Sequence, residues 1–213
     1  SRFTRNDTLL EFFCFIINEI HSSEMDKKHE SIITLISEII ERRGHESYLG
    51  EGLSMQEHML QTAFLAENEG GSDEEIAVAL LHDIGHYTDE FPEDTLEKGM
   101  NNFHEECGAN ILSGFFPETV VEAVRHHVEA KRYLCAVESG YFACLSEASV
   151  NSLNLQGGPM NEKEIETFEK YASKKLSVKV RKWDDAAKVS GLTTPQFSHF
   201  VPVLKRVLIG KTE

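Results

Sequence analysis

Apolar residues recur at three- and four-residue spacing along almost the whole chain, with no sustained one-in, one-out alternation and no internal repeat. A chain patterned in this way buries its apolar stripes helix against helix, so the sequence predicts an all-α protein. Ile32, Ile33, Ile36, Ile39 and Ile40 form one such stripe on a helix expected over 26–43 and stopped by Gly44. Ser54-Met55-Gln56-Glu57 and Ser72-Asp73-Glu74-Glu75 have the Ser-x-x-Glu form. In that form the first hydroxyl and the last carboxylate each satisfy a backbone N–H of the other's turn, so helices are expected to open there and to end near Gly70 and Asp83. Further helices are expected at about 102–113, 117–129, 139–150, 161–174, 176–190 and 196–209, with irregular loops at 44–53, 87–101 and 151–160. A helix over roughly 7–20 is assigned to an N-terminal helical extension, 1–25, ahead of one compact domain, 26–213.

Against 21 Lys+Arg stand 36 Asp+Glu, a formal net charge of −15. So acidic a surface repels nucleic acid and anionic membranes, and neither is expected as a partner. An anionic substrate would need a cationic pocket built locally against that field. Cys14, Cys107, Cys135 and Cys144 show no CxxC spacing and read as reduced thiols of a cytoplasmic protein. The apolar run 9–17 is short and carries Glu11, so it is not expected to span a membrane. A monomer or a weak dimer is the expected quaternary state.

Six possible metal ligands are strung along these helices: His58, the adjacent pair His82-Asp83, then His104, His127 and Asp184. Neighbours on a helix point about 100° apart, so His82 and Asp83 diverge and two ions fit beside one turn. At 100° per residue His58 projects with Met55, Met59, Thr62 and Leu65, into the core. His127 falls within the face of Val120, Val124 and Val128, whereas His126 points away. Asp184 lies nearer the stripe of Leu176, Val180, Trp183 and Ala187, and Asp185 reads as part of a solvated helix face, as do His21, His29, His45 and His199. A carboxylate buried with no cation beside it would protonate, so inward Asp83 and Asp184 among four imidazoles call for metal ions. A mixed N/O set without thiolates suits Fe, Mn, Zn or Ni and argues against a structural zinc.

The order H…HD…D resembles the HD-domain superfamily of helical metalloproteins over about 26–209, and the extra histidines resemble its two-metal branch. The flanking motifs are Tyr48-Leu49-Gly50-Glu51, His127-Val128-Glu129-Ala130-Lys131-Arg132-Tyr133-Leu134, Gln156-Gly157-Gly158-Pro159 and Asp184-Asp185-Ala186-Ala187-Lys188. Together they are similar to the 2-amino-1-hydroxyethylphosphonate dioxygenase group, which is related to myo-inositol oxygenase. The resemblance implies an HD-domain helical bundle with a buried mixed-valent Fe(II)/Fe(III) pair and O2 as co-substrate. It implies cleavage of the C–P bond of a small organophosphonate to glycine, or an N-substituted glycine, and phosphate. One iron would be held by His58, His82, Asp83 and Asp184, and the other by Asp83, His104 and His127, with Asp83 as bridge.

The same resemblance assigns phosphonate contacts to His86, Lys131, Ser149, Gln156 and Arg181. It assigns Tyr48 and Glu51 to a mobile loop over the reacting centre, Tyr48 resting on the second iron and Glu51 meeting the substrate's amine end. Spacing is compatible with part of this, because Arg181 sits one turn before Asp184 and Lys131 one turn after His127, so both direct charge toward the metals. Glu51 suits a primary ammonium, and Tyr48 with Tyr133 could instead box a quaternary one. The alternative reading is an HD-domain phosphohydrolase, in which two divalent ions activate water.

Overall fold

The computed structural model describes residues 27–48, 51–87 and 103–210. The expected N-terminal helical extension and nearly all of the loop at 87–101 lie outside these residues. A helix over 27–43 (α1) is followed by α2 (Met55–Asn68), α3 (Asp73–Leu81), a 3-10 turn (Ile84–Tyr87), α4 (His104–Leu112), α5 (Glu118–Arg125) and α6 (His127–Val137). A second 3-10 turn (Tyr141–Cys144) leads to α7 (Glu147–Leu155), α8 (Glu162–Phe168), α9 (Lys174–Ala186) and α10 (Phe197–Val207). There is no strand among the described residues, where pairing is limited to one isolated bridge, Ser47 to Ser54. The all-α expectation holds.

Both expected capping boxes form: the Ser54 and Ser72 hydroxyls accept from the Glu57 and Glu75 N–H groups, and each Glu carboxylate accepts from its serine's own N–H. α3 is the axis of the fold. Ala77, Val78, Ala79, Leu80 and Leu81 are all fully buried, and α2, α5, α9 and α10 pack around them. A helix enclosed on every side presents polar groups only at its ends. His82, which closes α3, and Asp83 after it are therefore delivered into the interior. Gly85 lets the turn press against α4, since a Cβ there would lie 1.9 Å from the His104 carbonyl oxygen. A second, smaller core of Ala130, Tyr133, Leu134, Tyr141, Met160 and Phe168 joins α6 to α8.

Four of the expected helices differ from the sequence reading. The helix expected over 117–129 is broken at His126, whose ψ of 7° leaves helical geometry and lets α6 start afresh at His127. The helix expected over 139–150 is a 3-10 turn followed by α7, because Leu145 is extended and the Ser146 hydroxyl caps a new helix by accepting from Ser149 N–H. α7 then continues to Leu155, into the expected 151–160 loop. α8 closes at Phe168, well short of 174. α9 stops at Ala186 because segments after it are captured from across the molecule. The Ala187 carbonyl accepts from His58 Nδ1 at 2.9 Å, and the Gln61 side-chain amide both donates to Val189 O (2.9 Å) and accepts from Val189 N (3.0 Å).

Candidate metal centre

Five elements converge at the end of α3. α2 supplies His58, the end of α3 supplies His82 and Asp83, α4 opens with His104, α6 opens with His127, and α9 supplies Asp184. All six side chains are buried, and they form two groups, His58 with His82 and Asp184, and Asp83 with His104 and His127. Within each group the candidate ligand atoms lie within 4.8 Å of one another. Asp83 stands between them: its Oδ2 is 3.6 Å from His58 Nε2 and 3.4 Å from His82 Nε2, and its Oδ1 is 3.4 Å from both His104 Nε2 and His127 Nε2. One carboxylate thus turns one oxygen to each group.

The hydrogen bonds behind the rings decide what those nitrogens offer. Nδ1 of His58, His82 and His127 faces the carbonyl of Ala187, Ala79 and Val124 at 2.9, 2.9 and 2.7 Å. A carbonyl only accepts, so each Nδ1 carries the proton and each Nε2 presents a lone pair. Yet the Nε2 atoms of His58 and His82 are 3.2 Å apart, and those of His104 and His127 3.1 Å apart. Neutral imidazoles in the His58–His82 arrangement repel unless a cation sits between them. Asp184 Oδ1, buried with no hydrogen-bond partner, makes the same demand. Two metal ions fit this donor set.

In the protein without metal a proton serves in part as that cation. Burial pushes the His82 imidazole down, but the carboxylates of Asp83 and Asp184 outweigh it and hold it up at about 9. Burial likewise opposes ionisation of Asp83, and the surrounding histidines overcome it, so its carboxyl stays well below the usual range. Asp184 is also held well below that range against burial, chiefly by Arg181, whose Nη1 is 2.6 Å from its Oδ2.

A small pocket opens beside Asp83, His104 and His127, and every residue expected to touch substrate lines it: Tyr48, Glu51, His86, Lys131, Ser149, Gln156 and Arg181. Lys131 is buried and donates to Ser152 Oγ at 2.7 Å; burial, with Arg181 nearby, lowers its ammonium to about 7. His86 stacks on His104 (centroids 3.9 Å apart), and burial with the neighbouring histidines keeps it neutral. Tyr48 stacks on His58, also at 3.9 Å, and burial with the Asp83 and Asp184 charges holds its phenol protonated. Gln156 ends α7 with its Oε1 buried and without a partner.

Several placements correct the sequence reading. Asp185 is not part of a solvated face: it accepts from Arg181 Nε at 3.2 Å, pairs closely with Arg181 Nη2 and takes the Tyr141 hydroxyl hydrogen bond. Arg181 is consequently tied to a candidate ligand on one side and to Asp185 on the other, rather than serving an anion alone. His29 is buried too, with Nε2 2.6 Å from Ile209 O, whereas His45 and His199 are exposed as expected. His21 lies outside the described residues. Tyr133 belongs to the smaller core, donates to Glu169 and does not line the pocket, which removes it from any box around a quaternary ammonium. Sequence reasoning gave no role to Ser152 or Lys188, both in the pocket wall, although Lys188 closes the Asp184-Asp185-Ala186-Ala187-Lys188 motif and follows Asp184 by four residues, the spacing at which Lys131 follows His127.

Residues 55–173 match the HD-domain family model. A [1-hydroxy-2-(trimethylamino)ethyl]phosphonate dioxygenase (glycine-betaine-forming) of Leisingera caerulea is 48% identical over 178 residues, covering 84% of this chain and 91% of that protein. A hydroxymethylphosphonate dioxygenase of Gimesia maris is 41% identical over 169 residues, 79% of this chain and 84% of that protein. An uncharacterised protein of Acanthamoeba polyphaga mimivirus is 34% identical, over 80% of this chain and 78% of its own length. The chain belongs to the HD-domain family and, within it, to the group that includes these phosphonate dioxygenases. None of the described helices is long and apolar enough to cross a membrane.

Proposed function

We propose that this protein is a di-iron dioxygenase that cleaves the C–P bond of a small 1-hydroxyphosphonate with O2, yielding a carboxylate and phosphate. Atoms balance if one oxygen of O2 enters the carboxylate and the other enters phosphate, with loss of one proton. The observation that carries the reading is the bridging position of Asp83, one oxygen toward each ligand group, at the floor of a pocket walled by Lys131 and Arg181. The relatedness to two phosphonate dioxygenases supports the same reaction class.

In this reading His58, His82, Asp83 and Asp184 hold one iron and Asp83, His104 and His127 the other, as a mixed-valent Fe(II)/Fe(III) pair supplying redox and Lewis-acid chemistry. The chain's other residues bind and orient. Arg181 keeps Asp184 ionised and aims its remaining N–H groups at a phosphonate oxygen, while Lys131 adds a buried point charge. Neutral His86 and the Ser149 hydroxyl take further phosphonate oxygens. Tyr48 closes the pocket above His58 until substrate docks. Glu51 faces the far end of the substrate, where an amine such as that of 2-amino-1-hydroxyethylphosphonate would lie.

The decisive experiment measures phosphate release from 2-amino-1-hydroxyethylphosphonate, and from its trimethylamino and tail-less counterparts, in air and under argon with iron-loaded protein. Release in air alone is expected, with one O2 consumed per phosphate. Equal release under argon, or turnover of a phosphate ester instead, would establish the phosphohydrolase reading.

A further inference from the structure

Lys188, just beyond α9, reaches into the pocket wall and ties together three segments that are remote in sequence. Its Nζ donates to Ser149 Oγ in the first turn of α7 at 2.7 Å and to Ser146 Oγ, which caps that helix, at 3.4 Å, and lies 3.4 Å from Glu51 Oε1. It also stands 5.8 Å from the centre of the Tyr48 ring. The Lys188 and Glu51 side chains are only 11% and 14% exposed, so little water screens the pair. Glu51 takes a close hydrogen bond from Ser146 as well. Ser149 accepts from Lys188 and so keeps its own hydroxyl proton to donate.

Glu51 therefore does not stand in the pocket as a bare carboxylate awaiting a cation. Its charge is already balanced, by an ammonium that also holds the hydroxyl of a residue assigned to the phosphonate. We propose that Lys188 is a specificity-determining residue, the internal substitute for a substrate's cationic tail. With Lys188 on Glu51 the pocket accepts a 1-hydroxyphosphonate that has no amine. A substrate with its own ammonium takes over Glu51 and releases Lys188 to Ser149 and the phosphonate. This inference rests on the proposed substrate class, and it predicts a tail-dependent effect that a purely structural lysine would not produce.

The test is anaerobic calorimetric binding of hydroxymethylphosphonate and of 2-amino-1-hydroxyethylphosphonate to the iron-loaded protein, in wild type, Lys188→Met, Glu51→Gln and the double variant. In Lys188→Met the unbalanced Glu51 repels the tail-less dianion, whose dissociation constant should rise by about tenfold or more, the usual scale for loss of a charge-assisted contact. The aminated substrate, which neutralises Glu51 itself, should weaken by no more than about threefold. Adding Glu51→Gln to Lys188→Met should restore much of the tail-less affinity, and Lys188→Arg, which keeps the charge, reports on folding and metal content. Equal weakening of both ligands, no change in either, or failure of the double variant to recover would overturn the proposal. A wild type that binds both ligands but releases no phosphate in air would sink the proposed reaction while leaving the Lys188 comparison readable; one that binds neither overturns both.

Discussion

The turn after the His-Asp pair packs against α4 and so fixes how closely His104 approaches Asp83, and Gly85 is its weak point. An alanine Cβ at this position would sit 1.9 Å from His104 O and 2.6 Å from Gly108 N, where ordinary contact begins at 3.4 Å. Both obstacles are α4 backbone, so no flexible side chain can swing aside. The turn and α4 must separate by about 1.5 Å to reach ordinary van der Waals contact. His104, the first residue of α4, would move with it, while metal–ligand distances tolerate only ~0.2 Å. Gly85→Ala is therefore expected to lose the ion held by Asp83, His104 and His127 and to keep the one held by His58, His82 and Asp184. Overpacking of this kind costs ~1–3 kcal/mol, which for a domain of this size lowers Tm by roughly 2–12 °C. Metal analysis of iron-reconstituted protein and calorimetry of the metal-free form read the two effects separately. Full metal occupancy together with a Tm within ~1 °C of wild type would refute the argument, since α4 would then have accommodated the methyl group at no cost.

Arg181→Ala removes the 2.6 Å partner of Asp184 and should weaken metal binding as well as phosphonate binding, the former by ~10–100-fold as for other partners of metal ligands. Unaltered metal affinity by chelator competition would return Arg181 to a purely anion-binding role. Lys131 has its ammonium lowered to about 7 by burial, from 10.5, so the unfolded chain binds the extra proton between those values. The stability gained by Lys131→Met is then greatest below pH 7 and shrinks as pH rises toward 10.5, as urea titrations of the metal-free proteins would reveal; a gain independent of pH contradicts the assignment.

Where the relevant information was local, the sequence sufficed. Periodicity reports which face of a helix is apolar, and that alone turned His58, His127 and Asp184 inward and made the fold all-α. The capping boxes at Ser54 and Ser72 were legible because the residues that satisfy the first-turn N–H groups lie within the same turn. The family motifs extended this to the pocket-lining set. The tertiary structure alone decided where α9 ends, because the groups that capture Ala187 and Val189 are His58 and Gln61, on α2. It alone brought Tyr141 to Asp185 and Lys188 to Glu51. Spacing along one helix cannot encode such contacts, because they depend on how far α2, α7 and α9 are rotated and shifted against one another, which only the packing of the whole core sets.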